Sequence, residues 1–99
     1  MRLSKIQRNI IKQTAKECFD DKAKVKLFGS RVDETLKGGD IDLLLEFNTN
    51  TVQLTQKVLR FNTLLQKKIG AQKIDIITLE PHQIPNTIQQ QALKTGLDL

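Results

Sequence analysis

Leu27-Phe28-Gly29-Ser30-Arg31, followed after a spacer by Gly39-Asp40-Ile41-Asp42-Leu43-Leu44-Leu45, is the stretch on which the reading of this chain turns. Side chains alternate along a strand, so Asp40 and Asp42 share one face while Ile41, Leu43 and Leu45 take the other. Two like charges on one face repel unless something cationic lies between them. A divalent metal supplies that charge, and hard carboxylate oxygens suit Mg²⁺. Gly29-Ser30 closes the preceding strand and opens a short helical turn. Gly29 has no Cβ, so an anion can approach its backbone closely. The free N–H groups of such a turn, with the Ser30 hydroxyl, bind anionic oxygens. Arg31 adds a guanidinium fork suited to phosphate. A phosphate cradle beside metal-holding carboxylates is the equipment of phosphoryl or nucleotidyl transfer.

Outward from this stretch, apolar spacing divides the chain into elements. Ser4-x-x-Gln7 has the form of a capping box, and Ile6, Ile10, Ile11, Thr14 and Cys18 follow helical spacing over residues 5 to 18. Lys24 to Phe28 alternates as a strand, and Asp40 to Phe47 is the next. Asn50-x-x-Gln53 reads as the cap of a second long helix with Leu54, Val58, Phe61 and Leu65 as its stripe and Gly70 at its C-terminus. Lys73 to Leu79 reads as a third strand. There Ile74 and Ile76 face one way, and Asp75 and Ile77 the other. A charge embedded among isoleucines needs a reason, and joining Asp40 and Asp42 supplies one. A last helix spans roughly Asn86 to Lys94 and ends by Gly96. The order of elements predicts a small α/β (α+β) domain, with helices covering the Ile41/Leu43/Leu45 face and the carboxylates on the opposite one.

The Gly29-Ser30, Asp40-x-Asp42 and Asp75 pattern resembles the nucleotidyltransferases related to the DNA polymerase beta palm, over roughly residues 25 to 79. The short chain is similar to the minimal nucleotidyltransferases (MNT proteins). The resemblance implies a mixed sheet of three to four strands and a Mg²⁺-dependent site. There Asp40, Asp42 and Asp75 hold metal and carry catalysis, while Gly29, Ser30 and Arg31 bind the nucleotide, with ATP as substrate. It also implies a partner in trans. Similar minimal proteins work with a helical HEPN-type protein, often as antitoxin to its toxin, and transfer AMP to a tyrosine hydroxyl of it. Two features depart from the pattern. The spacer between Ser30 and Asp40 is one residue shorter than usual, and Val32-Asp33-Glu34 stands where a glycine commonly follows.

Composition bounds the rest. Ninety-nine residues, 38% of them hydrophobic and 27% charged, fit one globular domain spanning 1–99. No apolar run is long enough for a bilayer and no secretory h-region is present, so a cytoplasmic protein without membrane attachment is expected. Cys18 is the single cysteine and His82 the single histidine, which leaves no zinc cluster, and His82, between Pro81 and Gln83, reads as a loop or cap residue that gives Ser-His or Cys-His chemistry little support. The net charge of +5 suits a nucleoside triphosphate, an acidic protein or a nucleic acid. Its lysines are dispersed, and no Tyr or Trp provides a stacking platform, so nucleic acid is not the favoured partner. Two alternatives stand beside the protein-directed transferase: a non-catalytic module that neutralises a partner by occlusion, and nucleotide transfer to RNA such as tRNA.

Overall fold

Ser4 starts the first helix. Its hydroxyl accepts from the Gln7 N–H at 3.0 Å, and the Gln7 side chain accepts from the Ser4 N–H at 3.2 Å, so the expected capping box forms. Helix α1 runs Lys5–Phe19. In this computed structural model, which describes residues 2–33, 35, 39–70 and 72–99, Ile11, Thr14, Ala15 and Phe19 are the buried residues of α1. Ile10 and Cys18 flank them, half-buried, and burial pushes the Cys18 thiol up. Ile6, counted in the stripe by its spacing, is 74% exposed. It lies about 140° around the helix from Ile11, off the buried arc.

Strand β1 spans Ala23–Phe28 and β2 spans Ile41–Phe47, with a 3₁₀ turn at Gly29–Val32 between them. Asp40, expected as the first residue of the second strand, stands just ahead of it. Glu34 and Gly38, two residues of the intervening loop, lie outside the described residues. Helix α2 covers Leu54–Ile69, β3 Ile74–Leu79, α3 Thr87–Thr95 and β4 Leu97–Asp98. Gly70 ends α2 at φ 95°, a conformation that suits glycine. Asn50 does not cap α2. Its side chain meets His82 Nδ1 at 2.9 Å, and the helix starts three residues later, after Gln53 in the left-handed region. Asn86 does cap α3, through a second capping box with Gln89.

The sheet order is β3-β2-β1-β4. β1 runs antiparallel to β2 and β4, and β2 runs parallel to β3. This is a mixed four-stranded sheet, at the upper end of the expected range. The two-residue β4 carries no periodicity by which to be found. Lys26 Nζ fastens it to Asp98 at 2.8 Å, and the Leu99 N–H donates to the Val25 carbonyl at 3.1 Å. Gly96 allows this return, because a Cβ there would strike the Ala92 carbonyl oxygen and crowd that of Leu27.

One face of the sheet presents Val25, Leu27, Ile41, Leu43, Leu45 and Ile74 to α1 and α2, forming the main core. Phe19 anchors it, its ring 5.2 Å from that of Phe47 and 5.5 Å from that of Phe61. The opposite face is not left wholly open. Leu44 and Leu79 are buried there under Ala92 of α3, with Phe28, Ile77 and Leu93 around them. Helices therefore lie on both faces, because the apolar residues that share the face of Asp42 also require cover. That leaves β2 buried on both sides, as its continuous Leu43-Leu44-Leu45 run demands.

Replacing Phe61, fully buried between the helices and the sheet, should leave a cavity. Phe61→Ala is expected to cost about 3–5 kcal/mol, a large part of a typical domain's ~5–15 kcal/mol. Urea unfolding followed by circular dichroism should show a lowered midpoint with an unchanged slope.

Candidate active site

The register of the strands assembles the carboxylates. Asp42 pairs with Asp75 across the parallel β2–β3 ladder and with Phe28 across the antiparallel β1–β2 ladder. Neighbouring residues of a ladder share a face, so Asp42 and Asp75 stand side by side on strands about 4.8 Å apart. The strand parity expected for Asp75 is the one observed. Asp75 is exposed, whereas Asp42 is half-buried. Burial pushes the Asp42 carboxyl above the usual carboxylate range, and the charges of Asp75 and Asp40 push it the same way. Lys73 opposes them.

Asp40, free of the pleat, leans to Lys73, whose Nζ lies 3.6 Å from its Oδ2. Both side chains are well exposed, so this contact contributes little stability. The adjacent backbone is firmer, since the Ile41 N–H donates to the Lys73 carbonyl at 3.0 Å. Lys73 was not singled out from sequence. The available signal was its parity: two residues before Asp75, it belongs to the same side of the strand.

Two glycines shape the approach to Asp42. Gly29 ends β1 at φ 78°, and a Cβ there would overlap the Asp42 carboxylate. Gly39 leads into β2 at φ 92°, and a Cβ there would overlap the Ser30 hydroxyl. The Gly29-Ser30 turn thus lies against both the carboxylate strand and the segment feeding it. A side chain at either glycine would push the parts of the site away from each other.

Arg31, expected to turn its fork to phosphate, directs three of its N–H groups to protein acceptors. Its Nε donates to the Gly39 carbonyl at 3.3 Å, one terminal nitrogen to the Arg2 carbonyl at 2.9 Å, and the other to Gln72 Oε1 at 2.9 Å. Arg2 returns the contact. Its backbone N–H donates to the Arg31 carbonyl at 2.7 Å, and its guanidinium donates to the carbonyls of Asp33 and Ser30, both at 3.2 Å. Arg2 and Gln72 carry no motif in the sequence that would announce this role.

Hard carboxylate oxygens with surplus negative charge form a donor set suited to a cation such as Mg²⁺. Among the described residues, no three acidic, histidine or cysteine side chains are already drawn together as a closed metal shell. Asp42 with Asp75, and Asp40 one residue outside β2, are the carboxylates a cation could draw together. A concavity of about 380 Å³ lies at the other end of the β1–β2 pair, lined by Asp21, Lys24 and Glu46 among others, away from the register of Asp42.

Comparison with known proteins agrees with this geometry. The family model described as "Polymerase beta, Nucleotidyltransferase" matches residues 8–99, so the chain belongs to that family and carries a nucleotidyltransferase domain. No curated protein matches the chain. Among the described residues, no helix is long and apolar enough to cross a membrane.

The raised proton affinity of Asp42 has a consequence for stability. A carboxyl whose pKa is higher in the folded state leaves the fold at full strength below the unfolded pKa. It costs stability as pH rises through the folded value. Asp42→Asn should therefore raise the melting temperature of the ligand-free chain at neutral pH. The gain should vanish in acid, below the usual carboxylate range. Thermal melts from pH 3 to pH 8 would show it, and Mg²⁺ should raise the wild-type melting temperature while leaving Asp42→Asn little changed.

Proposed function

We propose that this member of the polymerase beta nucleotidyltransferase family transfers a nucleoside monophosphate, AMP from ATP, to a hydroxyl of a partner protein. The observation that carries this reading is the pairing of Asp42 with Asp75 beside the Gly29-Ser30 turn. Two adjacent carboxylates beside a glycine-bounded turn match the needs of a metal-bound triphosphate.

The residues divide the work by position. Asp40 and Asp42 would hold Mg²⁺, with Asp75 completing the set. When bound, the metal offsets charge on the phosphoryl oxygens and favours departure of pyrophosphate. The Gly29-Ser30 backbone and the Ser30 hydroxyl would orient the phosphates so that the α-phosphorus faces the acceptor. Asp75 is the exposed carboxylate of the pair, open to an approaching hydroxyl, and would accept its proton as the oxygen attacks in line. Half-buried Asp42 is better placed to stay with the metal. Lys73 would release Asp40 when the metal arrives, since their exposed contact holds it only weakly.

Helix α3 occupies the apolar part of the carboxylate face and leaves Asp75 exposed to an acceptor hydroxyl. The reading is of a HEPN-type helical partner that is neutralised by AMP on a tyrosine hydroxyl, in a toxin–antitoxin pair, with this chain as antitoxin. The resemblance in the Gly-Ser and Asp-x-Asp motifs supports that choice.

Incubation with Mg²⁺, labelled ATP and a HEPN-type helical protein should place label on that protein, read by intact mass as one AMP. Asp42→Asn and Asp75→Asn should each reduce transfer by about 10²-fold or more while the fold persists. Neutralisation that survives Asp42→Asn without any added mass would establish occlusion instead. Label on RNA with the partner absent would establish a nucleic-acid acceptor, for which the +5 charge is the favouring observation.

A further inference from the structure

We propose that Arg31 is a positioning residue, one that locks the Gly29-Ser30 turn in register with both carboxylate strands rather than binding the triphosphate itself. The proposal rests on the nucleotidyl-transfer reading and refines it.

The turn is joined to the carboxylates through backbone that is inherently loose. Gly29 and Gly39 both adopt positive φ, and both lack the Cβ that would restrict them. The β1–β2 ladder extends to the pair Phe28 and Asp42, beyond which the turn is free of it. With nothing else, the turn could swing about its glycines and carry Ser30 away from Asp42.

Arg31 spans this joint. The carbonyl of Gly39 is one residue from Asp40, and Gln72 lies three residues ahead of Asp75. Through Gly39, Gln72 and Arg2, its guanidinium reaches the segment feeding β2, the segment feeding β3 and the chain ahead of α1. Arg2 closes the circuit by donating to the carbonyls of Ser30 and Asp33 on the turn itself. A planar fork with five fixed donors can serve three acceptors in different directions at once. The three donors of a lysine ammonium all radiate from one atom and do not span acceptors met by three separate nitrogens, although the charge is kept. Both arginines are half-buried, consistent with side chains engaged in the protein.

The two roles predict different responses. A phosphate ligand depends on charge, so Arg31→Lys should retain much of the binding. A clamp depends on the fork, so Arg31→Lys should behave like Arg31→Ala. A clamp also predicts that Gln72, which has no phosphate to touch, shares its effect. The test uses the full chain as wild type, Arg31→Lys, Arg31→Ala, Gln72→Ala and the Arg31→Ala/Gln72→Ala double variant. Amide hydrogen exchange is read first without nucleotide, then ATP affinity by calorimetry in Mg²⁺, then kcat and KM.

Exchange should rise in residues 29–33 in all four variants while α1 and α2 stay protected. Affinity should fall by about 10- to 100-fold in both Arg31 variants. It should fall less in Gln72→Ala, and the double variant should be no worse than Arg31→Ala, as expected for residues acting as a unit. Misplaced phosphates should lower kcat as well as raise KM. Wild-type affinity in Arg31→Lys, or Gln72→Ala indistinguishable from wild type in exchange and affinity, would overturn the proposal. If the wild type itself binds no ATP in Mg²⁺, the nucleotidyl reading fails, and the exchange pattern alone decides whether the clamp exists.

Discussion

Two carboxylates forced side by side are the constraint around which this structure is arranged. Asp42 and Asp75 occupy paired positions of a parallel ladder, where like charges work against the pairing. The ladder tolerates them because most of its other positions are apolar, and those of β2 between Asp42 and Glu46 are buried. Ile41, Leu43, Leu44 and Leu45 on β2 are fully buried, and Ile74 and Leu79 on β3 nearly so. Apolar burial near 25 cal/mol per Å² across such a strand outweighs one repulsive pair at its end. The repulsion remains stored at the mouth of the sheet, where Asp42 resists ionisation and Lys73 partly compensates. A cation that bound to this surplus negative charge would strengthen the fold.

The rigidity of β2 follows from being covered twice. The main core of α1, α2 and the sheet covers one face. A smaller cluster under α3 covers the rest of the other. Asp42 near the start of β2 and Glu46 near its end are the half-buried residues of the strand, and Asp40 stands just ahead of it. The carboxylates of β2 and β3 therefore stand on a packed support, while the turn at Gly29 and the approach at Gly39 each run through a positive-φ glycine. Catalysis by positioning needs such support, since small displacements of reacting groups are expensive in rate. Hydrogen bonds from Arg31 and Arg2 are the means by which the turn is tied to the segments feeding β2 and β3.

Much of this was legible in the residues because it depends on local spacing. The capping box at Ser4, the stripe of α2 around Phe61 and Leu65, and the alternation that sets Asp75 opposite Ile74 and Ile76 are all written within a few positions. They emerge where periodicity puts them. Ile6 and Asn50 show how local spacing misleads. Ile6 satisfies a helical interval from Ile10 yet falls outside the arc that meets the sheet, and Asn50 resembles a cap until His82 engages its side chain.

By itself, then, the sequence determined the order of helices and strands, the faces of the strands, and the Gly-Ser and Asp-x-Asp elements with their third carboxylate. Periodicity and side-chain chemistry are properties of neighbouring residues. The tertiary structure alone decided the strand order, the register that sets Asp42 against Asp75, the placement of α3 on the carboxylate face and the recruitment of β4. It alone also decided the partners of Arg31, one of them 29 and another 41 positions away along the chain. Those features depend on which distant surfaces pack together, and a buried interface is settled by the sum of contacts across the whole domain rather than by any one stretch of it.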